Sequence, residues 1–515
     1  MIRSVFILVV VCVSWECFTQ PQILWRNTFG GSSYDVGSCV LETQDGGYIV
    51  AGHSSSQDGD IFGSRGGVDF WILKFNKLGG VQWKKNLGGS ENDWGTKVIQ
   101  TTDEGYLIVG YAGSTDFDVS GNHGGLYDGW VVKLSSTGTI EWQKCIGGSE
   151  IDLLWSAKQT LDGAYILSGY SNSDDGDISG NQGDFDAILI KLSQDGEIEW
   201  QKSLGGSSED NANSVIETPD GGFVIIGETW SDDEDVLKLH EGSDLWVVKV
   251  TEAGEIEWNT TLGGSGADFG IDAVLTQDNG YVVLGFIGGD SGDISVHHGA
   301  FDYWVVKLSQ LGELIWEKSL GGSGPDWARS LVLTKDNSYL IAGESASNDG
   351  DVVNLNGGLE IWLSKVNDQG SLIWQKSFGG SKADACYSIG LTNDGGYILT
   401  GATSSNNGDF SGCENGGEDD LFIMKFAPES SAVSLHYNSP LSIAPNPAST
   451  SISLQGLETE NEVNVIISNF LGQTILQKQM SPDEQINVGN LPKGIYLVSA
   501  IGENNKTYLG KFEKL

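Results

Sequence analysis

Trp83-Lys-Lys-Asn-Leu-Gly-Gly-Ser-Glu-Asn-Asp93 is one of seven versions of the same stretch in a chain of 515 residues. The Gly-Gly-Ser core begins at Gly30, Gly88, Gly147, Gly205, Gly263, Gly321 and Gly379, in steps of 58 or 59 residues. An aspartate follows five residues later each time: Asp35, Asp93, Asp152, Asp210, Asp268, Asp326 and Asp384. A tryptophan precedes each core, from Trp25 and Trp83 to Trp316 and Trp374. Self-similarity at a fixed period names a repeat architecture before any local reading does.

One unit, Asp93 to Gly148, shows which architecture. Thr96–Thr101 reads as a strand, Asp103-Glu-Gly105 as a tight turn, and Tyr106–Tyr111 as a second strand. The turn returns as Asp45-Gly-Gly47, Asp220-Gly-Gly222 and Asp394-Gly-Gly396, where glycine supplies the positive φ that a tight hairpin needs. A polar loop, 112–128, leads to a third strand, Trp130–Leu134, and a Ser-Ser-Thr-Gly turn to a fourth, Thr139–Ile146. Apolar residues on both strand faces fit a sheet packed between two neighbours. Four antiparallel strands per unit without helical periodicity predict a propeller blade. The seventh unit stops after its third strand, Leu421–Phe426, and an orphan strand, Ile23–Phe29, stands at the N-terminus. Pairing the two would close a ring without exposed edges. The expected fold is all-β: a seven-bladed β-propeller over 20–426, then a small β-sandwich.

Composition narrows the partners. Lys plus Arg number 28 against 70 Asp plus Glu, a net charge of −42. That argues against nucleic acid and anionic membranes, both of which need a basic surface. Residues 1–19 read as a signal peptide, with Arg3 ahead of an apolar run, Val5–Val13, and a cut before Gln20. The run is too short to span a bilayer, so no membrane span is expected.

The Leu-Gly-Gly-Ser-x-x-Asp link, the Asp-Gly-Gly turn with its following strand, and Gly-x-x-x-Ser together resemble the secreted bacterial β-propeller repeat family, SBBP, over residues 23–426. The resemblance implies the fold and not an activity. Residues 427–440 read as a linker. From Leu441 onward Ile443-Ala-Pro-Asn-Pro447, Phe470-Leu-Gly-Gln-Thr-Ile475 and Leu491-Pro-Lys-Gly-Ile-Tyr-Leu497 follow in order. The segment 441–515 is similar to the type A C-terminal sorting domain of the type IX secretion system of Bacteroidetes. That resemblance implies the secretion machinery as partner, passage through the outer membrane, and release or surface attachment.

The blade links and the long second-to-third-strand loops should share one face, opposite the hairpin turns. Aspartates recur there, and Asp175-Gly-Asp177-Ile-Ser179-Gly180 with Asp186 has oxygen ligands at the spacing of a calcium loop. Asp58, Asp60 and Asp69 form the next such set; the same aspartates read first as Asx-turns that cap loop amides, and calcium is the candidate cofactor beside that reading. Cys386 and Cys413, both in unit seven of an exported chain, are expected to pair as a disulfide. No Ser-His-Asp order, phosphate loop or zinc signature is present, so no catalytic residue is expected.

A ligand site should use residues in which the repeats disagree, because shared residues hold the ring. Trp94, Phe269 and Trp327 follow the linking aspartate where siblings carry small or aliphatic residues, and Trp155 and Trp230 add further aromatics. Arg329 is nearby in sequence. Flat rings with an arginine suit a sugar face bearing an acidic group. The expected function is a secreted or surface binding propeller for an extracellular glycan or surface protein. A polysaccharide-active enzyme and a structural surface-layer protein are the alternatives, because fold alone does not decide activity.

Overall fold

Ile23–Phe29 has no neighbour in sequence to pair with, and the computed structural model shows it finding one 400 residues away. It runs antiparallel to Asp420–Phe426, with Arg26 opposite Met424 and Phe29 opposite Leu421. The structure describes residues 22–237, 240–353, 355, 357–413, 416–429, 441–455, 457, 462–469, 474–501 and 507–515. The expected signal peptide, most of the linker and part of the Phe470 motif lie outside them. The chain divides into two compact units, one ending at Glu429 and one reaching Leu515.

The first unit is a ring of seven four-stranded antiparallel sheets. Six sheets use consecutive strands; the seventh joins strands from both ends of the unit. In blade two the strands are Asp93–Gln100, Tyr106–Ala112, Asp128–Leu134 and Ile140–Ile146. The inner and third strands thus begin at the aspartates, two or three residues before the sequence reading placed them. The middle strands of blade two are buried along their length, as a sheet covered on both faces must be, except at Tyr111, which is half-buried.

Three repeated devices hold this frame. The third-strand lysine lies under the hairpin and pairs with its aspartate: Lys74 with Asp45, Lys133 with Asp103, and so on to Lys425 with Asp394, at 2.8 to 3.3 Å. The fourth-strand tryptophan covers the last turn of the following blade. A Cβ on Gly138 would come within 3.2 Å of Trp83, and one on Gly312 within 2.6 Å of Trp258. For Trp374, which faces blade seven, Glu429 takes that place. It accepts from Trp374 Nε1 at 3.1 Å and pairs with Lys365 at 2.6 Å.

The third device is the blade junction. The linking aspartate is fully buried and accepts from the second Gly of its own link and, in six blades, from a loop serine; Asp268 accepts from Gly288 N instead. In blade two these are Gly89 N and Ser114 Oγ, each at 2.8 Å from Asp93 Oδ2. Across the first Gly stands the third-strand acid of the preceding blade. A Cβ on Gly88 would lie 2.3 Å from Asp69 and 2.7 Å from Asp93. Only glycine fits between two carboxylates at that spacing.

Among the described residues the C-terminal unit holds seven strands in two sheets. Ser442–Ala444, Ser451–Gln455 and Ile486–Asn487 form one; Thr474–Met480, Val463–Asn469, Gly494–Ile501 and Thr507–Lys514 form the other in that order. Ile452, Val465, Val498 and Phe512 lie in its core.

Candidate functional site

Each inner strand contains one β-bulge at the same place. The extra residue is Ser38, Thr96, Trp155, Asn213, Ile271, Arg329 or Tyr387. A bulge turns a side chain out of the pleat alternation. Here all seven bulged residues line one central cavity of about 510 Å³. The blades that agree on their linking aspartates and their tryptophans carry seven different residues at this position.

The wall is asymmetric. Across blades one to three it is aromatic: the His53 ring lies 4.5 Å from Trp94, Trp94 stacks toward Tyr111 at 6.4 Å, and Tyr111 meets Trp155 at 6.1 Å. Burial depresses the His53 imidazole to about 4, so it is neutral at ordinary pH, and its Nδ1 has no partner. Across blades four to seven the wall is mostly polar, with Asn213, Asp272, Arg329 and Tyr387 beside the apolar Ile271. Arg329 donates from Nε and Nη2 to Glu344 Oε1, at 2.9 and 2.6 Å, and lies 5.6 Å over the Tyr387 ring. Asn211 and Asn213 donate to Glu228 at 2.6 and 2.8 Å. One residue beyond the bulge, Lys97 and Asp272 project from blades two and five. Asp272 accepts from Leu331 N at 3.0 Å; burial raises its carboxyl, and Lys97 pulls it back down. Lys97, Ser156, Ser214 and Asp272 also line a second cavity of about 430 Å³, which reaches Thr102 at the hairpin end.

Of the residues the sequence singled out, Trp94, Trp155 and Arg329 come together in the central cavity. Phe269 stacks on Phe286 at 4.7 Å, and Trp230 is 43% exposed in its loop. Neither of these, nor Trp327, belongs to the cavity lining. The Arg329 guanidinium is ion-paired with Glu344 at 2.6 Å. His53, Tyr111, Lys97, Asp272 and Tyr387 were missed. Three are bulge-register or adjacent inner-strand residues, and comparing the seven units at that register rather than just after the aspartate would have found them.

The loop aspartates are committed to the backbone. Asp175 Oδ1 accepts from Ser149 N at 2.7 Å, and Asp58 Oδ1 from Ser32 N at 2.7 Å. Gln201 Nε2 donates to Ser179 Oγ at 2.6 Å, and Asp177 Oδ2 is 3.5 Å from His123 Nε2. Asp186 and Asp69 are buried at the starts of third strands and accept from Gln182 N and Arg65 N, each at 2.8 Å. Asp60 pairs with Lys84. Among the described residues no three Asp, Glu, His or Cys side chains are grouped to hold a metal ion. The spacing that suggested calcium serves Asx-type caps between link and loop. Nor are Cys386 and Cys413 joined: both thiols are free, with Cys386 fully buried on the inner strand and its Sγ 3.6 Å from Ser388 O.

Comparison with known proteins identifies the tail. Residues 442–512 match the secretion system C-terminal sorting domain family. The tail therefore directs the chain to the outer cell surface or the extracellular space. Among the described residues no helix is long and apolar enough to cross a membrane. The regulatory protein FlaEY of Caulobacter vibrioides is 22% identical over 423 residues, which is 73% of this chain and 43% of that protein. The chain thus spans less than half the length of that relative. Among solved structures, the Neurospora crassa Pan2 WD40 domain is 10% identical, covering 77% of this chain and 89% of its own, with a TM-score of 0.42. Sqt1 from Chaetomium thermophilum is 10% identical, with coverage of 79% and 100% and a TM-score of 0.41.

Proposed function

We propose that the chain is an exported, non-catalytic binding propeller that takes an extracellular glycan at the centre of its ring. In this reading it belongs with the secreted bacterial β-propeller repeats of Bacteroidetes. Residues 1–19 are then a removed signal peptide, 20–426 the propeller, 427–440 a linker, and 441–515 an address read by the type IX secretion machinery. The observation that carries the reading is the bulge ring, whose seven different side chains converge on one cavity. An aromatic arc facing hydrogen-bonding groups is the combination a sugar ring needs, with stacking for its C–H faces and donors and acceptors for its hydroxyls.

The non-catalytic half of the reading is supported by how the nearby acids are used. Glu344 is bound by Arg329, Glu228 by two asparagine amides, and Asp272 by a backbone amide. None is left as a free acid–base pair facing the cavity. A glycan-array screen of the full chain, repeated with Trp155→Ala and Tyr387→Ala, tests it. Binding by the wild type that falls at least tenfold in both variants is the expected result. No bound glycan, or equal binding by all three proteins, would overturn it.

A further inference from the structure

The residue one place beyond the bulge has a task of its own. In blade seven Ser388 Oγ accepts from Val40 N of blade one at 3.2 Å, and in blade six Ser330 Oγ accepts from Ile389 N of blade seven at 3.4 Å. Asp272 Oδ2 does the same in blade five, accepting from Leu331 N of blade six at 3.0 Å. Each of these acceptors takes the amide two places past the next blade's bulge, which ties neighbouring inner strands together. Five blades use serine or cysteine at this register; the other two carry Lys97 and Asp272. An ammonium has donors only, so Lys97 cannot accept that amide. Its residue type does not answer to the frame.

Three basic side chains line the central cavity: His53, Lys97 and Arg329. Burial keeps the His53 imidazole neutral, and Arg329 is paired with Glu344. Among the described residues Lys97 Nζ donates no hydrogen bond and forms no ion pair. The charge it faces is Asp272, three blades round the ring. Both Asp272 oxygens are already committed to uncharged donors, Oδ2 to Leu331 N, and Oδ1 to Ala273 N at 2.9 Å and Ser214 Oγ at 3.3 Å. Lys97 is half-buried and lines both the central cavity and the second one beside it. The ammonium thus stands where the two cavities meet, shielded from bulk water and without an acceptor of its own.

We propose that Lys97 is the subsite for an anionic group on the bound sugar, a carboxylate or a sulfate ester, so that the channel selects acidic over neutral glycans. The inference rests on the glycan reading above and names the class of glycan. The sugar ring lies on the aromatic arc, whose Trp94 shares an inner strand with Lys97, and its charged substituent meets the ammonium. An oxyanion delivered there supplies the acceptor that Lys97 lacks, in a place where few water molecules compete for it. Arg329 cannot take this part, because Glu344 already occupies two of its donors.

The test presents the full chain to an array of matched neutral, carboxylated and sulfated oligosaccharides, and Kd is then measured for the strongest binders and their neutral counterparts. Wild type should bind the acidic member of a pair roughly tenfold or more tightly, the margin of one charge-assisted hydrogen bond. Lys97→Ser installs the residue that most blades use at this register, and it should bind both members alike. Lys97→Arg should keep the margin. If the serine variant folds poorly, Lys97→Gln, which keeps most of the stem and removes the charge, carries the test. Trp155→Ala should weaken acidic and neutral binding together, which separates stacking from charge. A margin with carboxylated glycans alone assigns a carboxylate, and a margin with sulfated glycans alone assigns a sulfate ester. A wild type that binds neutral glycans as tightly as acidic ones, or a Lys97→Ser protein that keeps the wild-type margin, overturns this inference and leaves the glycan reading in place. No glycan bound by the wild type overturns both.

Discussion

The outer frame and the inner ring of this propeller are built from the same 58-residue unit and follow opposite rules. In the frame the blades repeat their residue types: a buried lysine under an aspartate turn, a glycine between two acids and, for six of the seven tryptophans, the next blade's turn glycine beneath the ring. On the inner strands the backbone repeats, bulge for bulge, while the side chains at the bulge share no residue type. The frame teaches what seven-fold closure demands of each blade. The ring shows where those demands are relaxed, because a side chain at the channel wall meets its neighbours only at its edge, as Trp155 meets Tyr111 and Arg329 meets Tyr387. The two regions should therefore fail separately: changes in the frame should cost folding, and changes in the ring should cost binding.

The largest expected effect is at the closure. A chain beginning at Gly30 loses the strand that pairs with Asp420–Phe426 and the Trp25 ring over Gly79. It exposes a sheet edge and the core of blade seven at once. Its melting temperature should fall by on the order of 10 °C or more, with the whole near-ultraviolet signal lost together. Separate loss of one blade would show that the frame is not cooperative. Next comes Lys133→Ala, which removes a stem buried to 2% and breaks the pairs with Asp103 and Glu141. Denaturant unfolding should show a loss of roughly 2–3 kcal/mol, at the lower end because both partners are half-exposed. Glycan binding by the folded fraction should be unchanged.

Much of the frame was legible because repetition is itself a signal. Trp83, Asp93, Lys133 and their counterparts announced blade number, strand order and closure before any geometry was known. The candidate site was legible only in part. Trp155 and Arg329 stood out by residue type, but a bulge leaves no local mark in a single strand. Its register appears only when all seven inner strands are superposed. Phe269 was misjudged because a strand residue one place after the aspartate leans on its own blade, here on Phe286. The calcium spacing has a structural use as well: Asp175 caps the Ser149 amide and Asp177 faces His123, and caps and ion ligands draw on the same oxygens. The Cys386 thiol is free and fully buried on its inner strand, with its Sγ 3.6 Å from Ser388 O.

A smaller effect separates the frame's two kinds of acid by pH. The junction carboxyls are raised by burial, Asp93, Asp268, Asp326 and Asp420 to about 6 and Asp186 to about 7. A folded value above the unfolded one, near 4, favours the fold fully below pH about 4 and is lost as pH rises through 6 to 7. The turn aspartates behave oppositely. Asp162 and Asp278, held near 2 by their threonines and then by Lys191 and Lys307, stabilise above pH about 4 and lose that contribution as pH falls toward 2. The melting temperature should therefore peak near pH 4–5 and fall by several degrees toward both pH 2 and pH 8. Asp93→Asn should flatten the alkaline side, and Asp162→Asn the acid side. A profile that rises from pH 5 to 8 would mean that the junction acids ionise without cost to the fold.

The smallest effect on stability is expected where the effect on binding is greatest. Thr96, Trp155, Asn213 and Tyr387 occupy equivalent bulges, so the backbone already accepts each of these side chains at that place in some blade. Replacing Trp155 or Tyr387 by serine, the residue blade one uses at Ser38, asks nothing of the bulge that the fold does not already meet. Unfolding free energy should stay within about 0.5 kcal/mol of wild type, the range for substitutions outside the packed core. Each ring that stacks on a sugar adds about 1–2 kcal/mol of binding, so affinity should fall roughly 5- to 30-fold. Exchanging Ser38 for tryptophan sharpens the comparison from the other side, since it extends the aromatic arc next to His53 without touching the frame. If the serine variants unfold as readily as Lys133→Ala, the bulge residues are packing elements after all, and the division between frame and ring does not hold.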